Sequence, residues 1–275
     1  MTAAPHHRHL HQHAHQHDSY GDRAVRGEPL EDLIIDIHCH PGVGRNFYWH
    51  GGDVDDMVRT MDTTGVDYAC FSSYAAIGPD FIGGNDLVAE AIQRHPTRVL
   101  GCVVPNPRYP ELVVPELQRR VEDQGFRGIK IHPTSHSYRV LGPNYLPVYE
   151  FADDHRLPIL SHTYETPATV AKLAETYPNA TFVWAHGIWR HLQQPDLATV
   201  ARDHPNVLVD MAGSVNLRGM IEDFVRVAGA ESVVFGSDYP VLDQAWELGQ
   251  VAHAELPATA KRRIFGENLR GRLRL

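Results

Sequence analysis

The sequence predicts an α/β fold: a (β/α)8 TIM barrel of parallel strands, residues 31–275, behind a disordered histidine-rich tail, residues 1–30. Three observations predict it. From residue 33 onward, eight short apolar runs alternate with amphipathic stretches, which is the pattern of parallel βαβ units. Polar residues able to do chemistry close several of those runs, and they come from the whole length of the chain, which suits a closed ring. The chain has 275 residues with 43% hydrophobic content, enough for one barrel of about 250 residues. A doubly wound open sheet is the competing architecture and fits that spread of strand ends less well.

The elements follow in order. Strands read as Leu33–His38, Tyr68–Ser72, Val99–Val104, Gly128–His132, Pro158–His162, Thr181–Ala185, Val207–Met211 and Val233–Ser237. In the first helix, Asp53–Thr63, Val54, Met57, Val58 and Met61 recur at i, i+3, i+4 and i+7, which puts them on one face. The remaining helical patterns are Leu87–Arg94, Leu112–Asp123, Leu146–His155, Ala168–Tyr177, Ala198–Asp203, Ile221–Ala228 and Gln244–Ala252. Gly78-Pro79, Pro105-Asn106-Pro107 and Gly142-Pro143 mark loops. The longest stretches without a pattern, His40–Gly52 and Pro133–Asn144, both follow strands and so lie over the mouth where barrel active sites are built.

Composition excludes several classes. A net charge of −9 argues against nucleic acid, which needs a basic face. No apolar run approaches the roughly 20 residues of a membrane span, and no apolar signal core opens the chain. Cys39, Cys70 and Cys102 are odd in number and form no C-x-x-C pair; they read as small apolar groups in a cytoplasmic protein. Between His6 and His17 lie seven of the 19 histidines with too few apolar side chains to pack, hence the disorder. Weak metal scavenging by this tail is one reading and a tolerated tail the other.

The chemistry begins at Asp36-Ile37-His38-Cys39-His40. In a regular strand alternate side chains share a face, so Asp36, His38 and His40 project inward while Ile35, Ile37 and Cys39 face the helices. Two imidazoles held together are half a metal site, and a carboxylate below them can orient one. His162, His186 and Asp238 close later strands, and Gly187 lets the chain turn sharply after His186. Taken singly, each has a bland role: a satisfied core histidine, a strand-end turn, a helix cap. Lys130 and His132 share parity with Gly128 and point into the mouth. Gly42-Val43-Gly44-Arg45-Asn46-Phe47-Tyr48-Trp49-His50 lacks the third glycine of a phosphate loop and reads as a substrate lid with Arg45, Tyr48 and Trp49. Ser135-His136-Ser137-Tyr138-Arg139 reads similarly, or as surface cover.

Together, Ile35–His40, Gly128–Pro133, Ser161-His162, Ala185-His186-Gly187, Gly236–Pro240 and the terminal Ile264–Leu273 resemble the amidohydrolase superfamily. The resemblance is strongest to the branch containing aminocarboxymuconate-semialdehyde and resorcylate-type decarboxylases. It implies that His38, His40, His162 and Asp238 hold a divalent metal and that Asp238 and His186 are the catalytic base and acid. Three imidazoles and a carboxylate suit Zn²⁺ and tolerate Mn²⁺, Co²⁺ or Fe²⁺; such an ion lowers the pKa of bound water to about 7. In binuclear relatives a carboxylated fourth-strand lysine bridges two metals, which would make Lys130 and His186 ligands of a second ion; otherwise Lys130 lies near the metal or the substrate. One ion is the preferred count. His132 becomes a candidate substrate contact, or else a histidine packed before Pro133. The activity expected is hydrolysis of a small-molecule amide, ester or lactone. The alternatives are decarboxylation of a small carboxylic acid, for which the branch's arginine motif is not recognisable, and a non-catalytic metal-binding protein. The family also leaves a homodimer open.

Overall fold

The computed structural model describes residues 19–43, 51–213 and 217–275. Eight strands run β1 Ile35–Cys39, β2 Tyr68–Phe71, β3 Val99–Val103, β4 Gly128–Ile131, β5 Pro158–Ser161, β6 Thr181–Trp184, β7 Val207–Asp210 and β8 Val233–Val234. Each pairs in parallel with the next in sequence order. The ring closes between β8 and β1, where Ile37 N–H donates to the Phe235 carbonyl at 3.1 Å and His40 N–H to the Tyr239 carbonyl at 2.7 Å. Helices fill every crossover, as the alternating pattern requires.

Local chemistry sets the element ends. Asp53 caps the helix Val54–Thr64, its carboxylate accepting from Asp55 N and Asp56 N, and Gly65 ends it in the left-handed region at φ 80°. Its buried face is Val54, Met57, Val58 and Met61, as the periodicity predicts. β8 is shorter than expected because the Phe235 N–H turns to the Ile264 carbonyl at 2.8 Å. β4 stops at Ile131 because His132 caps a short helix, Pro133–His136, inside a stretch expected to lack one.

Two corrections concern the tail and the first strand. Residues 19–30 belong to the ordered fold. Ser19–Arg26 is helical, and Tyr20 is buried with its ring 5.8 Å from Phe265 and its hydroxyl donating to Asp32. One aromatic side chain supplies the apolar area that the histidine run lacks. The second correction is parity. Asp36 opposes Ala69 and Cys39 opposes Phe71, so three steps along β1 match two along β2. That extra residue is a bulge, and it breaks the alternation. Ile35 and Ile37 therefore join the barrel interior with Cys70, Leu100, Cys102 and Leu160, rather than facing the helices. Asp36 turns the other way, accepting from Ser237 N at 3.0 Å and Gln244 Nε2 at 2.8 Å. It locks the closing seam and does not touch the His38 ring.

Candidate metal centre and cavity

Past the bulge, His38 and His40 both face the mouth, with ring centroids 4.9 Å apart. Each has one nitrogen fixed by a neighbouring strand. His40 Nδ1 lies 2.8 Å from the Ser72 carbonyl oxygen. A carbonyl only accepts, so Nδ1 carries the proton and Nε2 presents a lone pair. His38 Nδ1 donates to Asp210 Oδ2 at 2.8 Å, so its Nε2 also presents a lone pair. Both Nε2 atoms face Asp238 Oδ1, at 3.4 Å from His38 and 3.1 Å from His40. The test of fit for a divalent ion is the chemistry of the donor set, two imidazole nitrogens and a carboxylate oxygen, and His38, His40 and Asp238 pass it; their donor atoms lie within 4.8 Å of one another.

The surroundings hold the donors in that state. Burial first, then the Lys130 charge, keeps His38 neutral, well below the ordinary imidazole range. Lys130 is fully buried, points into the mouth as expected, and donates from Nζ to His38 Nε2 at 2.8 Å. Burial pushes its ammonium down to about 8. Gly236 makes the crowding feasible. A Cβ there would stand 3.0 Å from His38 Cβ and 3.1 Å from Asp210 Cβ.

His186 is the residue in the left-handed region, at φ 60°, as is Asp238 at φ 58°; non-glycine residues held there are strained and cluster at functional sites. Gly187 is therefore not the turning residue. It is required because a Cβ there would lie 2.4 Å from Val209 Cβ. His186 Nδ1 donates to the Ala212 carbonyl at 2.9 Å, and its ring is 5.1 Å from His38. His162 lies outside the close donor group. Its ring is 5.0 Å from His186 and stacks on His132 at 4.1 Å. Burial and the His132 neighbour hold it neutral. His132 Nδ1 accepts from Ser135 N at 3.1 Å, leaving Nε2 as the N–H. Burial pushes that ring down to about 2.

His40, His132, His162, His186 and Asp238 line one cavity of about 490 Å³ with Trp189 and Arg190, within the size range of small-molecule sites. Ser135 reaches it too, whereas Arg139 is exposed and faces Glu165 at 3.7 Å. Arg45, Tyr48 and Trp49 lie outside the described residues. Sequence reasoning missed Asp210. Its Oδ1 accepts from His186 N at 2.6 Å while its Oδ2 holds His38. Both oxygens are thereby engaged, which makes it a clamp; with His38 and His186 it also forms a second group of donors close enough together to hold an ion. The available signal was a carboxylate closing Val207-Leu208-Val209-Asp210 on the parity of interior Leu208.

Eight parallel strands with a convergent His-His-Asp group at the C-terminal mouth define a metal-site barrel enzyme. The chain belongs to the amidohydrolase family, whose model matches residues 35–270. Its fold is similar to 2,6-dihydroxybenzoate decarboxylase from Rhizobium, with a TM-score of 0.72 and 16% identity over 88% of this chain and 99% of that one. It is also similar to 5-carboxyvanillate decarboxylase from Novosphingobium aromaticivorans complexed with manganese and 4-hydroxy-3-methoxy-5-nitrobenzoic acid (0.70, 17%, 89% and 97%). A third match is a TIM-barrel protein from Bordetella bronchiseptica described as uncharacterized (0.71, 19%, 88% and 98%). Among the described residues no helix is long and apolar enough to cross a membrane.

Proposed function

We propose that this protein is a metal-dependent lyase that removes CO₂ from a small carboxylic acid. The observation that carries a metal-dependent reaction is the convergence of His38 Nε2, His40 Nε2 and Asp238 Oδ1 at the floor of a cavity of small-molecule size. His162, on the same wall, is the fourth ligand in this reading. The decarboxylases of like fold support lyase chemistry over the expected hydrolysis. A bound divalent ion would supply a Lewis acid toward a substrate oxygen. Zinc remains the expectation for its identity, beside the manganese of one neighbour.

The protein's own residues do the rest. The C–C bond of R–COO⁻ breaks with its electron pair left on R, which takes one proton to give R–H and CO₂. Asp238 and His186 border the cavity and are the groups through which that proton reaches the carbon. His132 Nε2–H offers a neutral donor to a substrate oxygen. The stacked His132 and His162 rings close one wall against water.

Hydrolysis is the second reading. It is favoured by Asp238, held as a carboxylate beside the two imidazole donors, where a base for water would stand. The test incubates the purified protein, its metal content measured, with aromatic and unsaturated carboxylic acids and with lactones, esters and amides. We expect CO₂ from an acid. Turnover confined to the lactone, ester or amide set would replace the lyase reading with hydrolysis.

A further inference from the structure

We propose that Arg190 anchors the substrate's anionic group, so that the site selects small carboxylates carrying an apolar or aromatic body. The inference rests on the lyase reading and adds the residue that recognises the acid. Arg190 follows His186 by one helical turn and lines the cavity that holds His40, His162 and Asp238. Its guanidinium makes no ion pair or hydrogen bond among the described residues, and its Nε is wholly buried without a partner. Arg190 is half-buried at the cavity wall; its guanidinium carries five donors and keeps its charge, and the buried Nε without an acceptor is costly. Asp210, the nearby carboxylate, has both oxygens committed to His38 and His186, and Asp238 in the same cavity faces the two imidazoles. Neither accepts a hydrogen bond from the guanidinium, whose donors are left for a ligand.

The neighbouring surface describes the rest of that ligand. Trp189 carries the guanidinium 5.5 Å from its ring. Ile77, Val241 and Leu242 line the same space. A planar carboxylate docked on the guanidinium fork would lay its body on these apolar side chains. The arginine expected in the lid at position 45, or in the loop at 139, is then not needed for recognition.

The experiment measures binding by titration calorimetry with benzoate and with benzamide, which share a ring and differ in charge. Wild type should bind benzoate at least about 10-fold tighter than benzamide. Arg190→Met should lose about 10- to 100-fold in benzoate affinity, the size of a charged hydrogen bond. Its benzamide affinity and metal content should stay at wild-type levels. Arg190→Lys should recover part of the preference, because charge returns without the fork. Equal benzoate affinity in wild type and Arg190→Met overturns the proposal, as does a wild type indifferent to charge. If the methionine variant fails to fold, the wild-type comparison and Arg190→Lys still decide it. Charge preference without CO₂ release from any acid counts against the lyase reading alone. CO₂ release with an unchanged KM in Arg190→Met counts against Arg190 alone.

Discussion

His38 is held from three directions. Asp210 on β7 takes its Nδ1–H, Lys130 on β4 approaches its Nε2 and Asp238 past β8 faces the same lone pair. The weak point is Asp210, because one carboxylate serves two donors. In Asp210→Asn only one of the two side-chain positions remains an acceptor, so either the His38 ring or the His186 N–H loses its partner. Loss of such a supporting contact typically costs 10- to 100-fold in metal affinity or activity, and about that drop is expected here. Metal titration followed by fluorescence or calorimetry checks it; unchanged affinity would show that His38 is oriented by packing alone. His38→Ala should go further and lose the metal while keeping its circular dichroism. These residues were unequally legible. His38, His40, His162, His186 and Asp238 stand out as polar side chains closing apolar runs. Asp210 does the same but adjoins no second chemical residue, and Arg190 lies on a helix where an arginine ordinarily faces water.

At the scale of elements, all eight strands and the long helix of each crossover follow from periodicity, with boundaries shifted by a few residues, whereas the short helices Tyr74–Ile77, Pro133–His136 and Gly187–His191 do not. The bulge in β1 did not follow. Register is a property of two strands, and nothing within Ile35–Cys39 announces that β2 will meet it with one residue fewer. The helix Ser19–Arg26 was hidden for a different reason: its sequence is mostly polar, and its stability comes from one tyrosine reaching Phe265. A chain beginning at residue 28 should therefore be less stable than one beginning at residue 19 by about 1.5–3 kcal/mol, the value of burying a large apolar side chain. Urea unfolding of the two truncations measures it. Equal midpoints and slopes would show that the helix is only an ornament on the barrel.

The barrel as a whole also buries charge that the metal site does not use. Glu247, on the helix Gln244–His253, is inaccessible to solvent. Burial first, then the charges of Asp210, Asp238 and Asp36, pushes its carboxyl up from 4.5 to about 9. A raised carboxyl binds its proton more tightly in the folded chain than in the unfolded one. Its stabilising effect is thus complete below about pH 4.5 and is lost as pH rises through about 9. Glu247→Gln, which mimics the protonated form, should flatten the fall in unfolding free energy across that window. The wild-type slope there is at most about 1.4 kcal/mol per pH unit from this group. Parallel slopes for the two proteins would mean that Glu247 is ionised in the fold.

The two imidazoles at the end of β1 differ in what heredity can do to them. The orientation of His38 is written in a side chain, and a single codon change at Asp210 can retune or erase it. His40 leans on the main-chain oxygen of residue 72, which every amino acid supplies. Drift among descendants of this sequence can alter one ligand's basicity while the other keeps its tautomer, so divergence in metal preference should enter through the first.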